Sequence, residues 1–439
     1  MPDILVLGAT GYTGRLITRY LRTHPSRSMF SFSIGGRSKP KLLAVLSELH
    51  PDSGGDVEVV EVDVTDDASV ERAVRAFKVV INAVGPFWTY GTGVVRACAK
   101  NGTHHVDITA ETAWVKLIIE QFDALARTTG SLIVPSCGLD SVPSDMAVHL
   151  SSQTLKAHFG LDTTLGASST CSMINGGMSG GTLASLLTAM ENVPRESVHG
   201  ALWNPYELSP LKGLTKLSSP LRLHYRLPSI PGSPVQHGAF FPLAPHNAAI
   251  VHRTWGILQR QTSPSSLPSS SSYGPEFSYD EFCAASGWLS GSLFSLAMKV
   301  TLICLLYFPP ARWWLRRVGP AVGSGPSEEA LEQGSMEIVN VTSTAPSSSE
   351  PQAHVKTVIR GRGDPGYLLT SIMVSECALC LLDTSNPNLP EMARRGGVLT
   401  PMTAFGDVLV ERLRKNERFE IESAVVRMSG QGVDGKKTR

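Results

Sequence analysis

DILVLGATGYTG, residues 3–14, decides the fold. Four apolar residues, Ile4–Leu7, run into Gly8, Gly11 and Gly14. The chain continues as TGRLITRYLRTH (13–24), whose Leu16, Ile17, Tyr20 and Leu21 share one side of a helix. Strand, glycine loop and helix in that order form the frame that holds a dinucleotide pyrophosphate. The first glycine permits the tight turn, the second lets backbone approach phosphate, and the third lets helix pack on strand. The helix N-terminus adds free N–H groups and a dipole that favours an anion. Gly8, Thr10, Gly11, Tyr12, Thr13 and Gly14 are therefore candidate cofactor contacts.

Outward from this loop, strand-like and helix-like segments alternate to about residue 160. FSFSIGGRS (30–38), VEVVEVDV (57–64), KVVINAVG (78–85), THHVDIT (103–109) and SLIVPSCG (131–138) read as strands. KPKLLAVLSELH (39–50), DDASVERAVRAF (66–77), GTGVVRACAKNG (91–102) and ETAWVKLIIEQFDALARTTG (111–130) read as helices between them. Such alternation predicts an α/β fold with a doubly wound parallel sheet of Rossmann type. Periodicity weakens beyond residue 160. TTLGASSTCSMI (163–174) and AHVKTVIRGRG (353–363) read as strands, and SGGTLASLLTAMENV (179–193) and GYLLTSIMVSECALCLLD (366–383) as helices. VLTPMTAFGDVLVERL (398–413) reads as one amphipathic helix, residues 200–250 show no clear period, and 262–275 is a low-complexity loop.

The second strand bears on the choice of cofactor. An NAD site places a carboxylate at its end to bond the ribose 2′-hydroxyl. Here the strand ends IGGRS, with Arg37 and Ser38 in that place and Lys39 and Lys41 behind. A cation and a hydroxyl suit a 2′-phosphate, so the reading is NADP(H) rather than NAD(H). Asp63 and Val64, ending the third strand, are placed to meet the adenine, although Asp63 equally suits the start of the following helix. Asn82, Ala83, Val84, Gly85 and Pro86 end the fourth strand and are expected beside the nicotinamide ribose, since ligands in open parallel sheets bind beyond the strands' carboxyl ends.

Together GATGYTG, GGRS, NAVGPF, HHVDITAE (104–111), CGLDSVPSD (137–145), SGGT (179–182) and GGVLTPMTAFGD (396–407) resemble the saccharopine dehydrogenase-like oxidoreductase family, which includes the trans-acting enoyl reductases. The resemblance implies a Rossmann domain over 1–160 and a second α+β domain over 161–397, for substrate or dimer contact. It also implies a C-terminal segment, 398–439, returning to the first domain.

Hydride transfer is the cofactor's chemistry, and the protein must align it, exclude water and manage one proton. The candidate proton-handling residues are Tyr90, near the nicotinamide loop, and Asp107 and Asp140, at the ends of the fifth and sixth strands. Glu111, Cys137, Ser141 and Asp145 lie close by; Asp145 also suits the start of a helix. His104 and His105 open a strand and read as structural.

GWLSGSLFSLAMKVTLICLLYFP (287–309) is apolar over a length that matches a bilayer, with Lys299 its one charge, and ARWWLRR follows. Trp313 and Trp314 fit a headgroup level, and Arg312, Arg316 and Arg317 an anionic lipid. The segment reads as a membrane-associating insertion, with spanning, in-plane and buried placements all open. The expected setting is intracellular and membrane-associated: the cytosolic face of a lipid droplet, endoplasmic reticulum or mitochondrial membrane.

A net charge of +1 gives no argument for a nucleic-acid partner. Seven scattered cysteines fit a reducing compartment, and Cys377 and Cys380 read as helix core rather than a metal site. The expectation is an NADPH-dependent oxidoreductase acting on a small hydrophobic carbonyl, imine or enoyl substrate at a membrane or lipid-droplet surface. A homodimer is left open, and the alternative is a lipid-associated scaffold that keeps the nucleotide fold without turnover.

Overall fold

The computed structural model describes residues 2–49, 57–214, 222–228, 235–261, 271–347 and 352–426. Its first sheet begins with six parallel strands: β1 (Ile4–Leu7), β2 (Phe32–Gly36), β3 (Glu58–Glu61), β4 (Val79–Asn82), β5 (His104–Asp107) and β6 (Leu132–Val134). Their spatial order, 3-2-1-4-5-6, reverses between β1 and β4. A crevice opens beyond the strand ends at such a switch point. β1 and β4 are buried along their whole length, as a parallel sheet covered on both faces requires.

The second sheet is mixed and contains β7 (Leu165–Asn175), β8 (Tyr225–Arg226), β9 (His237–Ala239), β10 (Ser278–Ala285), β11 (Ser335–Thr344) and β12 (His354–Arg362). The short β13 (Gly397–Val398) then returns to pair with β6 in the first sheet, and β14 (Phe419–Val426) closes the edge of the second beside β12. The order is 14-12-11-7-10-9-8, with β7 and β10 parallel and the other neighbours antiparallel. The helix Val142–Phe159 packs on β11 and β12. Near its start the buried Asp145 carboxylate accepts the Met402 N–H at 2.9 Å, which ties the C-terminal segment to it.

The first sheet and its helices follow the sequence reading closely; the fourth helix starts earlier, at Phe87, and ends at the left-handed Gly102. Elsewhere the structure corrects that reading. The span without clear period holds the helix Arg195–Trp203 and the start of Ala244–Gln261. The latter buries nearly every side, including His246, Asn247, His252 and Arg253, so no apolar stripe marks it. β10, β11 and β14 are strands not anticipated. The single helix over 398–413 is β13, then Pro401–Ala404 with a Thr400–Thr403 capping box, then Gly406–Arg414, divided at Gly406 with φ +49°. Residues 262–270 of the low-complexity loop and 427–439 of the tail lie outside the described residues. The loop's far end is packed: Tyr273 is buried, and the Trp255 indole N–H donates to the Gly274 carbonyl at 2.7 Å.

The apolar segment is the helix Trp288–Tyr307, followed by Pro309–Val318. The first is long and apolar enough to cross a membrane, yet one side of it lies on β9 and β10. That side carries small and polar groups. Gly291 abuts the Gly238 carbonyl, the Ser295 hydroxyl accepts the Phe240 N–H at 2.8 Å, and Lys299 Nζ donates to the Arg222 carbonyl at 2.7 Å. The opposite side is apolar and exposed, with Leu293, Val300 and Ile303 each half or more accessible. The helix is thus neither a core helix nor free of the protein, and its charge faces inward.

Candidate active site

Gly8 adopts φ +83°, the left-handed region that favours glycine. A Cβ on Gly14 would lie 2.1 Å from the Gly8 carbonyl oxygen, so the loop and helix can only close this tightly without side chains. Gly11 starts the helix Tyr12–Thr23, and no side chain caps its first turn. Those N–H groups have no intrahelical partner and suit a phosphate. Leu7, Gly8, Thr10, Gly11, Gly36, Arg37, Val62, Val64, Ala83, Val84 and Gly85 line one crevice. Most cofactor residues named from the sequence are therefore brought together. Arg37 is exposed at the rim, and the β2 end carries no carboxylate.

Others serve the frame. The Tyr12 ring turns away to donate to the Pro326 carbonyl at 2.5 Å and to meet Tyr367 edge-on. The Asp63 carboxylate accepts the N–H and hydroxyl of Thr65, which hold it below the usual carboxylate range with help from Arg37. Asp66, not Asp63, caps the following helix. Ser38 gives its carbonyl to Leu42, and Pro86 precedes the helix Phe87–Asn101. Asn82 is fully buried; its Oδ1 accepts the Val84 N–H at 3.0 Å, while its Nδ2 has no partner among the described residues. A cradle that admits no Cβ, an uncapped helix start, a rim cation and this unspent buried donor fit an NADP cofactor.

Tyr90 lies exposed in the first turn of the helix Phe87–Asn101. Asp107 is fully buried, and its Oδ1 accepts the N–H groups of Thr109 and Ser136 at 3.0 and 2.9 Å. Burial pushes Asp107 up to about 7, against those two bonds and with the Glu111 charge. Glu111 caps the nicotinamide-side helix by accepting the N–H groups of Phe87 and Trp88 at 2.9 and 2.8 Å. It also accepts from the Ser185 hydroxyl of the second domain's helix Gly180–Asn192. Of the two histidines, His104 accepts the Leu132 N–H and His105 is fully buried, so both are structural.

Asp140 faces a polar cluster that the sequence did not reveal. Burial pushes it up to about 7, and the nearby Glu281 charge adds to this. Glu281, on β10, is buried and accepts from the hydroxyls of Ser144, Ser172 and Tyr279 and from Asn247 Nδ2. The neighbouring His246 joins Thr112 to Ser136, and burial lowers it to about 4, leaving the ring neutral. Ser136 and Ser141 hold φ of +62° and +142°, and strain of this kind concentrates at functional sites. Asp140 Oδ1, Ser141 Oγ and Asn247 Oδ1 lack partners among the described residues. His246, Asn247 and Glu281 come from segments without nucleotide-fold signals.

The saccharopine dehydrogenase NADP binding domain family matches residues 4–155. A Mycobacterium tuberculosis protein named as a trans-acting enoyl reductase is 31% identical over 430 residues, covering 94% of this chain and 95% of its own. A lipid droplet localized protein of Caenorhabditis elegans is 28% identical, covering 92% of this chain and 94% of its own. Apo saccharopine dehydrogenase (L-Glu forming) from Saccharomyces cerevisiae shares the fold, with a TM-score of 0.55 at 13% identity over 97% of this chain and all of that one. The chain belongs to the saccharopine dehydrogenase-like family of NADP-dependent oxidoreductases.

Proposed function

We propose that this oxidoreductase reduces a hydrophobic carbonyl, imine or enoyl substrate at the cytosolic surface of an intracellular membrane or lipid droplet. The observation that carries this reading is the inverted polarity of the helix Trp288–Tyr307, which turns its lysine to the protein and its apolar side outward. Exposed apolar surface on this scale, carried by large aliphatic and aromatic side chains, marks an interaction site. Trp313 and Trp314 extend it, exposed at 61% and 60%. Arg312 and Arg316 engage Glu191, which leaves Arg317, stacked over Trp313, best placed for anionic headgroups. The lipid droplet localized relative agrees with this setting.

The helix Gly180–Asn192 links this surface to the chemistry. Its Ser185 reaches Glu111 and lies 3.4 Å from a Cβ position on Gly85, while its Glu191 holds Arg312 and Arg316. Six residues of helix span about 9 Å, so a lipid substrate has a short path from surface to nicotinamide loop. NADPH supplies the hydride when bound. The loop glycines and first-turn amides would hold its pyrophosphate, Arg37 its 2′-phosphate, Val64 the adenine, and Ala83–Gly85 with Asn82 behind them the ribose. Asp107 and Asp140 both keep a proton to near neutrality and an unspent oxygen; Asp107 is committed to two backbone N–H groups through its other oxygen, which leaves Asp140 as the proton donor in this reading. NADPH oxidation in the presence of long-chain enones, enals and imines tests this reading. Turnover with long-chain but not short-chain members is expected, and a preference for short polar carbonyl compounds contradicts it.

A further inference from the structure

Residues 319–326, GPAVGSGP, leave the end of the helix Pro309–Val318 and cross to the cofactor loop. Both ends of that crossing are held by close contacts, while Val322 and Gly323 between them are exposed. Gly319 sits where a Cβ would be 2.3 Å from Leu183. The Gly180 N–H donates to the Ser324 carbonyl at 3.1 Å, and a Cβ on Gly180 would lie 2.0 Å from the Ala321 carbonyl oxygen. A Cβ on Gly325 would lie 2.6 Å from the Tyr12 ring, and the Tyr12 hydroxyl donates to the Pro326 carbonyl at 2.5 Å. Tyr12 is the first residue of the helix whose N-terminus meets the crevice. The strap is therefore seated between the start of the phosphate-binding helix and the start of Gly180–Asn192. The latter helix also holds the helix Pro309–Val318 through Glu191.

Resting on the lipid-surface reading, we infer that contact with a lipid surface tightens NADPH binding, and that the strap 319–326, seated on Tyr12, transmits the effect. The glycine loop has few side chains to hold it, so ordering it for a phosphate costs backbone entropy. A seated strap fixes Tyr12 from behind and meets part of that cost before the cofactor arrives. A lipid surface that takes Trp288–Tyr307 and Pro309–Val318 together favours the arrangement in which Glu191 binds both arginines, and in that arrangement the strap is seated. Coupling between two binding sites is reciprocal, so NADPH must tighten lipid binding by the same factor.

The test is calorimetric titration of the full chain with NADPH, alone and with phosphatidylcholine–phosphatidylserine vesicles, beside vesicle co-sedimentation with and without NADPH. Vesicles are expected to lower the NADPH Kd by about 5-fold or more, and NADPH to lower the vesicle Kd equally. Gly325→Val, which pushes the strap off the Tyr12 ring, is expected to sediment with vesicles as the wild type does and to show an NADPH Kd that vesicles no longer change. Tyr12→Phe, which removes the bond to Pro326 while keeping the ring, is expected to shrink the coupling and serves if the first variant does not fold. A wild-type chain that sediments with vesicles but shows an unchanged NADPH Kd overturns the coupling and leaves the lipid-surface reading standing. A chain that does not sediment overturns both.

Discussion

Asn82 and Asp107 are register partners at the ends of the adjacent parallel strands β4 and β5, and each keeps one buried side-chain atom without a partner among the described residues. Each spends one oxygen on backbone N–H groups: Asn82 Oδ1 on Val84, and Asp107 Oδ1 on Thr109 and Ser136. A buried polar group left unpaired costs about 1–3 kcal/mol. Asn82 Nδ2 lies at the root of the crevice-lining loop, and in the proposed reading it donates to the cofactor. Asn82→Ala should weaken NADPH binding about 10-fold, a loss of about 1.4 kcal/mol, by calorimetric titration. An unchanged Kd would show that Asn82 serves only Val84.

In the proposed reading, cofactor preference rests on Arg37. A hydrogen bond to a charged group contributes about 1.5–3 kcal/mol, so Arg37→Asp should weaken NADPH binding about 10- to 100-fold. The same change supplies a carboxylate for a ribose 2′-hydroxyl, and NADH binding should improve. Parallel titrations with the two cofactors read this directly. Equal affinities for each cofactor before and after the substitution would make Arg37 a bystander.

The proposed lipid contact of the two apolar-surfaced helices predicts two opposite responses. Trp313→Ala with Trp314→Ala should reduce vesicle co-sedimentation at least about 10-fold, since burying each large apolar side chain contributes about 1.5–3 kcal/mol. Both are exposed, so the melting temperature should hold within a degree or so. Lys299→Leu should do the reverse. It removes the donor to the Arg222 carbonyl and the cation over the Phe240 ring, lowering the melting temperature without improving sedimentation. If Lys299→Leu instead strengthened membrane insertion, the helix would be a spanning one.

Asp140 carries a pH signature. Its folded value of about 7 lies far above the about 3.9 of an unfolded aspartate. Between these values the folded chain retains a proton that the unfolded chain has released, so this group's contribution to stability falls as pH rises. Asp140→Asn removes that dependence. The melting temperature of the variant, minus that of the wild type, should grow from about pH 4 to about pH 7 and then level off. A difference that is flat across this window would place Asp140 in contact with water.

The sequence made the first sheet legible because each strand is a short apolar run closed by a turn and followed by a helix with one apolar side. Of the second sheet, β7 and β12 were legible as strands, but β11 was not: its Asn340 is buried and bonded to Ser168, Thr170 and Ser151, an amide where an apolar alternation was sought. The same limit applied to the site. Gly8, Gly11 and Arg37 stand in one local motif. Glu281 and His246 meet Asp140 and Ser136 only after the chain has folded over more than a hundred residues. Lys299 read only as the one charge in an apolar segment, because periodicity alone did not say that its side of the helix would find the Arg222 carbonyl.

The most direct measurement of the central claim is calorimetric titration of the full chain with NADPH, beside Gly14→Val, whose side chain would collide with the Gly8 carbonyl. Saturable binding by the wild type, tighter than NADH and abolished by the substitution, is predicted. Absence of saturable binding at millimolar NADPH, or equal binding by the variant, would contradict the account.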